Sequence, residues 1–113
     1  MNGKQTILVV DDESSIRDMV QLSLELAGFN CLQAANAREA MSQILDARPD
    51  LVLLDWMMPE TSGFELLRRL RKDENCARLP VIMLTAQVEE GNRDQFARIR
   101  ALLRRSAPVE EQQ

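Results

Sequence analysis

An α/β fold, a doubly wound parallel sheet with helices on both faces, is what this sequence predicts, and three observations predict it. Four short runs rich in aliphatic and β-branched residues (6–10, 29–34, 51–54 and 81–84) alternate with amphipathic stretches of helical length. Three of them, 6–10, 51–54 and 81–84, carry almost no polar residue, and 6–10 and 51–54 read as strands buried on both faces. The chain has 113 residues, 45% of them hydrophobic, which suits one domain with one real core. Strands alternating with helices of this length imply right-handed crossovers.

Each element has its own signal. Thr6 to Val10 forms the first strand and stops at Asp11, Asp12 and Glu13. A helix follows from about Ser14 to Ala27, with Ile16, Met19, Val20 and Ala27 at helical spacing, and Gly28 is placed to cap it. Phe29 to Ala34 is a weaker second strand. Asn36 and Glu39 form a capping box that opens a helix directing Ala40, Met41, Ile44 and Leu45 toward a core. Pro49 ends it by biasing Arg48 away from helical geometry. Leu51 to Leu54 is the third strand and stops on Asp55. Ser62 with Glu65 opens a third helix, with Phe64, Leu67 and Leu70 inward, and Pro80 precedes the strand Val81 to Leu84, which stops on Thr85 and Ala86. Residues 1–105 read as one domain and 106–113 as a polar tail or the start of a linker.

Composition excludes several function classes. A net charge of −4 argues against a general nucleic-acid coat or an anionic-membrane binder. No run of about 18 apolar residues is present to span a membrane, and the apolar run 7–10 is too short for a signal-peptide core. The expectation is a soluble, cytoplasmic chain. Histidine is absent, so serine–histidine and cysteine–histidine catalysis are excluded and the commonest zinc ligand is missing. Cys31 and Cys76 have no CxxC spacing and read as reduced, semi-buried thiols.

What remains for chemistry is carboxylate, hydroxyl and a hard metal ion. In a parallel sheet the site lies beyond the carboxyl ends of the strands, at the topological switch. That rule gathers Asp11, Asp12, Asp55 and Thr85 into one crevice. Singly, any of these acids reads as a helix cap or a turn residue. As a set they conflict, because two like charges about 4 Å apart repel by about 4 kcal/mol at an effective dielectric of 20. A divalent ion removes the conflict, and Mg²⁺ takes one or two carboxylates while keeping several waters. A carboxylate beside Mg²⁺ can attack a phosphoryl group.

The motifs themselves resemble the response-regulator receiver family, most closely the receivers of winged-helix transcriptional regulators of the phosphate-regulon kind. Residues 7–13 (ILVVDDE) are similar to the family's first strand and acid pair. Residues 51–59 (LVLLDWMMP) with 61–63 (TSG) match the phosphoacceptor strand and loop, and 80–86 (PVIMLTA) the switch-threonine strand. The resemblance implies a flavodoxin-like sheet of order 2-1-3-4-5 with Asp55 as phosphoacceptor. It implies Mg²⁺ held by Asp12, Asp55 and the backbone carbonyl of Met57, with Asp11 acting through a metal-bound water. It further implies Thr85 as the switch hydroxyl, Ala86 as the residue that leaves room for phosphoryl entry, and a histidine kinase as partner. Any enzymatic activity is limited to self-phosphorylation from a phosphodonor and slow autodephosphorylation. With that order Cys31 and Cys76, near strands two and four, sit too far apart to bridge.

After Val88 the resemblance breaks. Residues 89–95 lead straight into 96–105, which resemble only the family's last helix, so roughly twenty residues covering a fourth helix and a fifth strand are absent and the expected order shortens to 2-1-3-4. Lys4 and Lys72 are the only lysines, and neither follows a strand where the family's phosphoryl-pairing lysine stands. The loss weakens charge stabilisation and switching more than metal binding. It also leaves Val81 to Leu84 at a sheet edge, which invites pairing with another chain.

The last helix carries an apolar stripe (Phe96, Ile99, Leu102, Leu103) and five arginines that read as a solvated face rather than a nucleic-acid surface. Trp56, beside Asp55, reads as a loop residue near the metal. The alternative function is a phosphorylation-independent interaction module, dimerising through the edge strand or the last helix. A flavin or nucleotide binder fits poorly, because Asp-Asp-Glu replaces a glycine-rich phosphate loop. A two-aspartate phosphatase fits no better, because Met57 stands where the second acid is needed.

Overall fold

The computed structural model describes residues 4–55, 58 and 62–84. Their elements run β1 (Thr6–Val10), α1 (Ser14–Leu26), β2 (Asn30–Ala34), α2 (Ala37–Ala47), β3 (Leu51–Asp55), α3 (Gly63–Lys72) and β4 (Val81–Leu84). The four strands form one parallel sheet in the order β2-β1-β3-β4, as expected. Val10 pairs in register with Ala34 on one side and Leu54 on the other, and Asp55 pairs with Leu84. The acids that follow or end the strands therefore emerge along one edge of the sheet.

Alternation of side chains divides the core into two layers. Leu8, Val10, Ala34, Val52 and Leu54 face α2 and α3, where they pack with Ala40, Ile44, Leu66 and Leu70. Ile7, Val9, Leu51, Leu53 and Ile82 face α1, where they meet Val20 and Leu24. The sheet is thus wound on both faces, with its central strands β1 and β3 buried from Ile7 to Val10 and from Leu51 to Leu54, which is why these stretches read as unbroken apolar runs.

The helix starts follow their capping residues. Asn36 Oδ1 accepts from the Glu39 N–H at 2.9 Å, while Glu39 reaches back to the Ala35 N–H at 2.8 Å, one residue earlier than in the usual capping box. Ser62 Oγ accepts from the Glu65 N–H at 3.2 Å and starts α3. Gly28 ends α1 with a φ of 99°, a left-handed conformation that suits glycine. Arg48, ahead of Pro49, leaves right-handed helical geometry as expected: its φ of 50° is left-handed, while its N–H still bonds the Ile44 carbonyl. Beyond it, Asp50 clamps the start of β1: its N–H donates to the Thr6 carbonyl and its carboxylate accepts from the Thr6 N–H, both at 2.8 Å.

Helix faces depart from the sequence reading in detail. Met19, Leu45 and Phe64 lie exposed, whereas Leu24 and Leu66, not singled out, are fully buried. The reason is rotational. α1 and α3 carry apolar residues around more than one face, and the sheet selects the rows 16-20-24 and 66-70. Cys31 packs against the α1 layer and buried Cys76 against the α2–α3 layer, and both are free thiols. No helix among the described residues is long and apolar enough to cross a membrane. Trp56, Met57, Thr85, Ala86, the stretch expected to form a last helix and the 106–113 tail lie outside the described residues.

Candidate functional site

The site begins where β1 stops. Val10 is the last β1 residue held on both sides by ladder partners, and Asp11 keeps one backbone tie, its N–H donating to the Ala34 carbonyl at 3.1 Å. Asp11 is buried, Asp12 is exposed, and Asp55, the last residue of the adjacent strand β3, is half-buried. One carboxylate oxygen from each of the three lies within 4.8 Å of the others. Adjacent parallel strands in this register bring these side chains together, and nothing local to either segment would do so.

The electrostatics show what this closeness costs. The Asp11 carboxyl titrates at about 6 rather than 3.8, chiefly because burial disfavours its charged form. The Glu13 N–H, donating to Asp11 Oδ1 at 2.9 Å, pulls the other way. The neighbouring charges of Asp55, Asp12 and Glu13 then add to the rise. Three oxygen donors graded from buried to exposed, with no sulfur or imidazole among them, fit a hard divalent cation such as Mg²⁺. Such an ion, if bound there, would offset the penalty on Asp11 by supplying positive charge.

Behind the carboxylates stands a polar bracket that sequence reasoning did not pick out. Arg17 on α1 donates from Nη1 to the Asp11 carbonyl at 2.6 Å and from Nε to Gln33 Oε1 on β2 at 2.9 Å. Gln33 Nε2 donates in turn to Gln21 Oε1 at 2.6 Å and Asp18 Oδ1 at 3.1 Å. Arg17 is the only arginine in α1, but its partner is a backbone carbonyl at a strand end. No residue-type signal marks such a partner.

Of the residues expected at the site, Asp11, Asp12 and Asp55 are brought together. Met57, Thr85 and Ala86 fall outside the described residues. Leu84, directly ahead of Thr85 in the chain, lies in register with Asp55. Lys4 precedes β1 and Lys72 ends α3, so both stand toward the opposite end of the sheet from the acids.

Residues 7–103 match the family described as the response regulator receiver domain. The chain belongs to that family. Phosphorylation on an aspartate is the general function of these receivers in two-component systems, and they generally bind Mg²⁺ at an acidic pocket and interact with histidine kinases.

Among relatives, the phosphate regulon transcriptional regulatory protein PhoB of Pseudomonas aeruginosa is 47% identical, with 96% of this chain and 55% of the relative covered. The PhoB of Escherichia coli is 37% identical over 91% of this chain and 53% of its own length. The receiver thus spans about half the length of these curated relatives. A receiver domain from Methanoculleus marisnigri has the same fold at a TM-score of 0.71 and 41% identity, covering 73% of this chain and 67% of that one. A Francisella receiver domain superposes at a TM-score of 0.77 and 26% identity, covering 91% of this chain and 99% of its own.

The alignment to the Pseudomonas relative is 127 positions long although this chain has only 113 residues, so at least fourteen positions of the relative have no counterpart here. In size that agrees with the deficit of roughly twenty residues expected from the sequence.

Proposed function

We propose that this receiver is a Mg²⁺-dependent phosphoacceptor in which Asp55 takes a phosphoryl group from a histidine kinase or a small acyl phosphate. The supporting observation is the meeting of the Asp11, Asp12 and Asp55 carboxylates at the ends of neighbouring strands. Asp12 and Asp55 would hold the ion with the Met57 carbonyl, and Asp11 would act through a bound water. When bound, Mg²⁺ neutralises charge on the phosphoryl oxygens and lets the three acids coexist.

The chain's own residues do the rest. Asp55, half-buried at a strand end, offers a carboxylate oxygen that forms the new bond to phosphorus. The bond from phosphorus to the donor breaks, and its electron pair leaves with the donor. Thr85 is assigned the switch hydroxyl and Ala86 the open approach for the phosphoryl group. With both lysines toward the far end of the sheet, no ammonium from either pairs with the transferred group, and the reaction and its structural readout are impaired. The receiver extends over 1–105, with 106–113 as tail or linker, and works in the cytoplasm without direct nucleic-acid or membrane contact.

Intact-mass analysis after treatment with acetyl phosphate tests this reading. With Mg²⁺ the wild-type chain gains one phosphoryl group; Asp55→Asn, or removal of Mg²⁺, abolishes the gain. An unchanged wild-type mass under rapid sampling defeats the proposal.

A second reading, dimerisation independent of phosphate, is favoured by β4 being the outermost strand on its side among the described strands. It predicts dimers whose abundance is indifferent to Mg²⁺ and to Asp55→Asn, measured by light scattering.

A further inference from the structure

We infer that Arg17 and Gln33 are positioning residues for the acidic site, a bracket that fixes the Asp11–Asp12 backbone and so places the Asp12 carboxylate beside Asp55. The inference rests on the phosphoacceptor reading above. Its starting point is the end of the β1–β2 ladder. Asp11 N–H bonds the Ala34 carbonyl, so a continuing parallel ladder would present the Asp11 carbonyl to the N–H two residues after Ala34. That residue, Asn36, is already the N-cap of α2, and the chain has turned away. The Asp11 carbonyl is instead taken by the Arg17 guanidinium at 2.6 Å, a charge-assisted bond.

Arg17 is itself held in place. Its Nε donates to Gln33 Oε1, Gln33 Nε2 donates to Gln21 Oε1, and Gln21 Nε2 donates to Glu25 Oε2 at 2.8 Å. Each amide accepts on one side and donates on the other, so the chain runs head to tail from a cation to a carboxylate. Bonds in such a series polarise one another in the same sense. The Gln33 backbone is pinned as well, its carbonyl accepting from Gln43 Nε2 on α2 at 3.2 Å. The bracket thus ties α1, β2 and α2 to one peptide plane, the plane between Asp11 and Asp12. Tilting that plane moves the Asp12 carboxylate relative to Asp55.

Partners that orient metal ligands without touching the ion typically change its affinity by about 10- to 100-fold when removed. Arg17→Ala is therefore expected to weaken Mg²⁺ binding about tenfold, and Gln33→Leu, which touches neither ion nor Asp11, by about threefold. Calorimetric titration of the full chain with Mg²⁺ reads both. A second measurement, amide hydrogen exchange in metal-free protein, is indifferent to phosphorylation. Exchange at Asp12 and Glu13 speeds up in both variants, while Leu53 in the core keeps its protection.

Wild-type Mg²⁺ affinity in both variants overturns the bracket and leaves the phosphoacceptor reading standing. Absence of Mg²⁺ binding by the wild-type chain overturns both. Equal acceleration at Leu53 and at Asp12 shows general loosening and also overturns it.

Discussion

Asp11 and Asp55 stand side by side one step beyond Val10 and Leu54, the last in-register pair of β1 and β3, and with Asp12 their carboxylate oxygens fall within 4.8 Å. The parallel sheet that unites them also buries Asp11, so its architecture creates both the site and the charge problem that a bound cation would relieve.

That problem has a pH signature. Asp11 titrates near 6 in the folded chain against 3.8 as its ordinary value, so the metal-free folded state holds a proton that the unfolded chain has released over this window. Stability from this group is full below the lower value and is lost as pH rises through the upper one, by on the order of 2–3 kcal/mol. Asp11→Asn should therefore stabilise the metal-free protein above about pH 6.5 and bring no gain near pH 3. Urea titrations at the two pH values check the difference, and Mg²⁺ affinity should rise as pH passes 6. A pH-independent difference between the two proteins would contradict the burial argument.

Helix α3 offers a sharp contrast between neighbouring residues. Leu66 is fully buried in the core cluster it shares with Val52, Leu54 and Ile44, whereas Phe64 is 52% exposed. Leu66→Ala should cost about 2–5 kcal/mol and Phe64→Ala less than about 1 kcal/mol, despite the larger side chain lost. Chemical denaturation of the two variants decides it. A larger loss at Phe64 would mean that α3 is rotated from the described packing.

Much of the fold and of the acidic site is legible in the amino-acid sequence. The strands β1 and β3 declare themselves because both faces of a central parallel strand are covered, so every position must be apolar. The acid cluster is legible for a related reason: Asp11, Asp12 and Asp55 each follow such a run, and parallel strands end at one edge. Helix rotation is not. In α1, Met19, Leu22 and Leu26 are as apolar as Val20 and Leu24, and only contact with Ile7 and Val9 decides which row turns inward. The Arg17 bracket is hidden more deeply, since its partners are a carbonyl and an amide brought near by the pairing of β1 with β2.

Gly28 and Arg48 share positive φ, 99° and 50°, with different side chains, and substitution should act in opposite directions at the two. A Cβ at Gly28 meets no atom within 4 Å, so Gly28→Ala isolates backbone strain and should cost about 1 kcal/mol. Arg48→Gly releases the same kind of strain and should be neutral or stabilising by up to about 1 kcal/mol. Thermal unfolding of both variants tests the pair, and a large loss at Arg48→Gly would show that its side chain contributes more than its backbone costs.

The two thiols lie on opposite sides of the sheet, Cys31 against α1 and Cys76 beneath α2 and α3. A disulfide needs Cα atoms within about 7 Å and Cβ vectors that face each other, and side chains on opposite faces of one sheet do not meet that geometry, so oxidation of the folded chain should not join them. Burial pushes the Cys31 thiol up to about 12, with Glu25 adding to the rise, and burial also raises Cys76. Both are therefore protonated at neutral pH and poor nucleophiles. A disulfide-exchange reagent at pH 8 should label the native protein slowly and both residues rapidly in urea, with intact mass counting the adducts. Because the raised values belong to the folded state, the native rate should climb steadily with pH through 9. An intramolecular disulfide in folded protein, or fast labelling of both residues at pH 7, would be incompatible with thiols separated by the sheet.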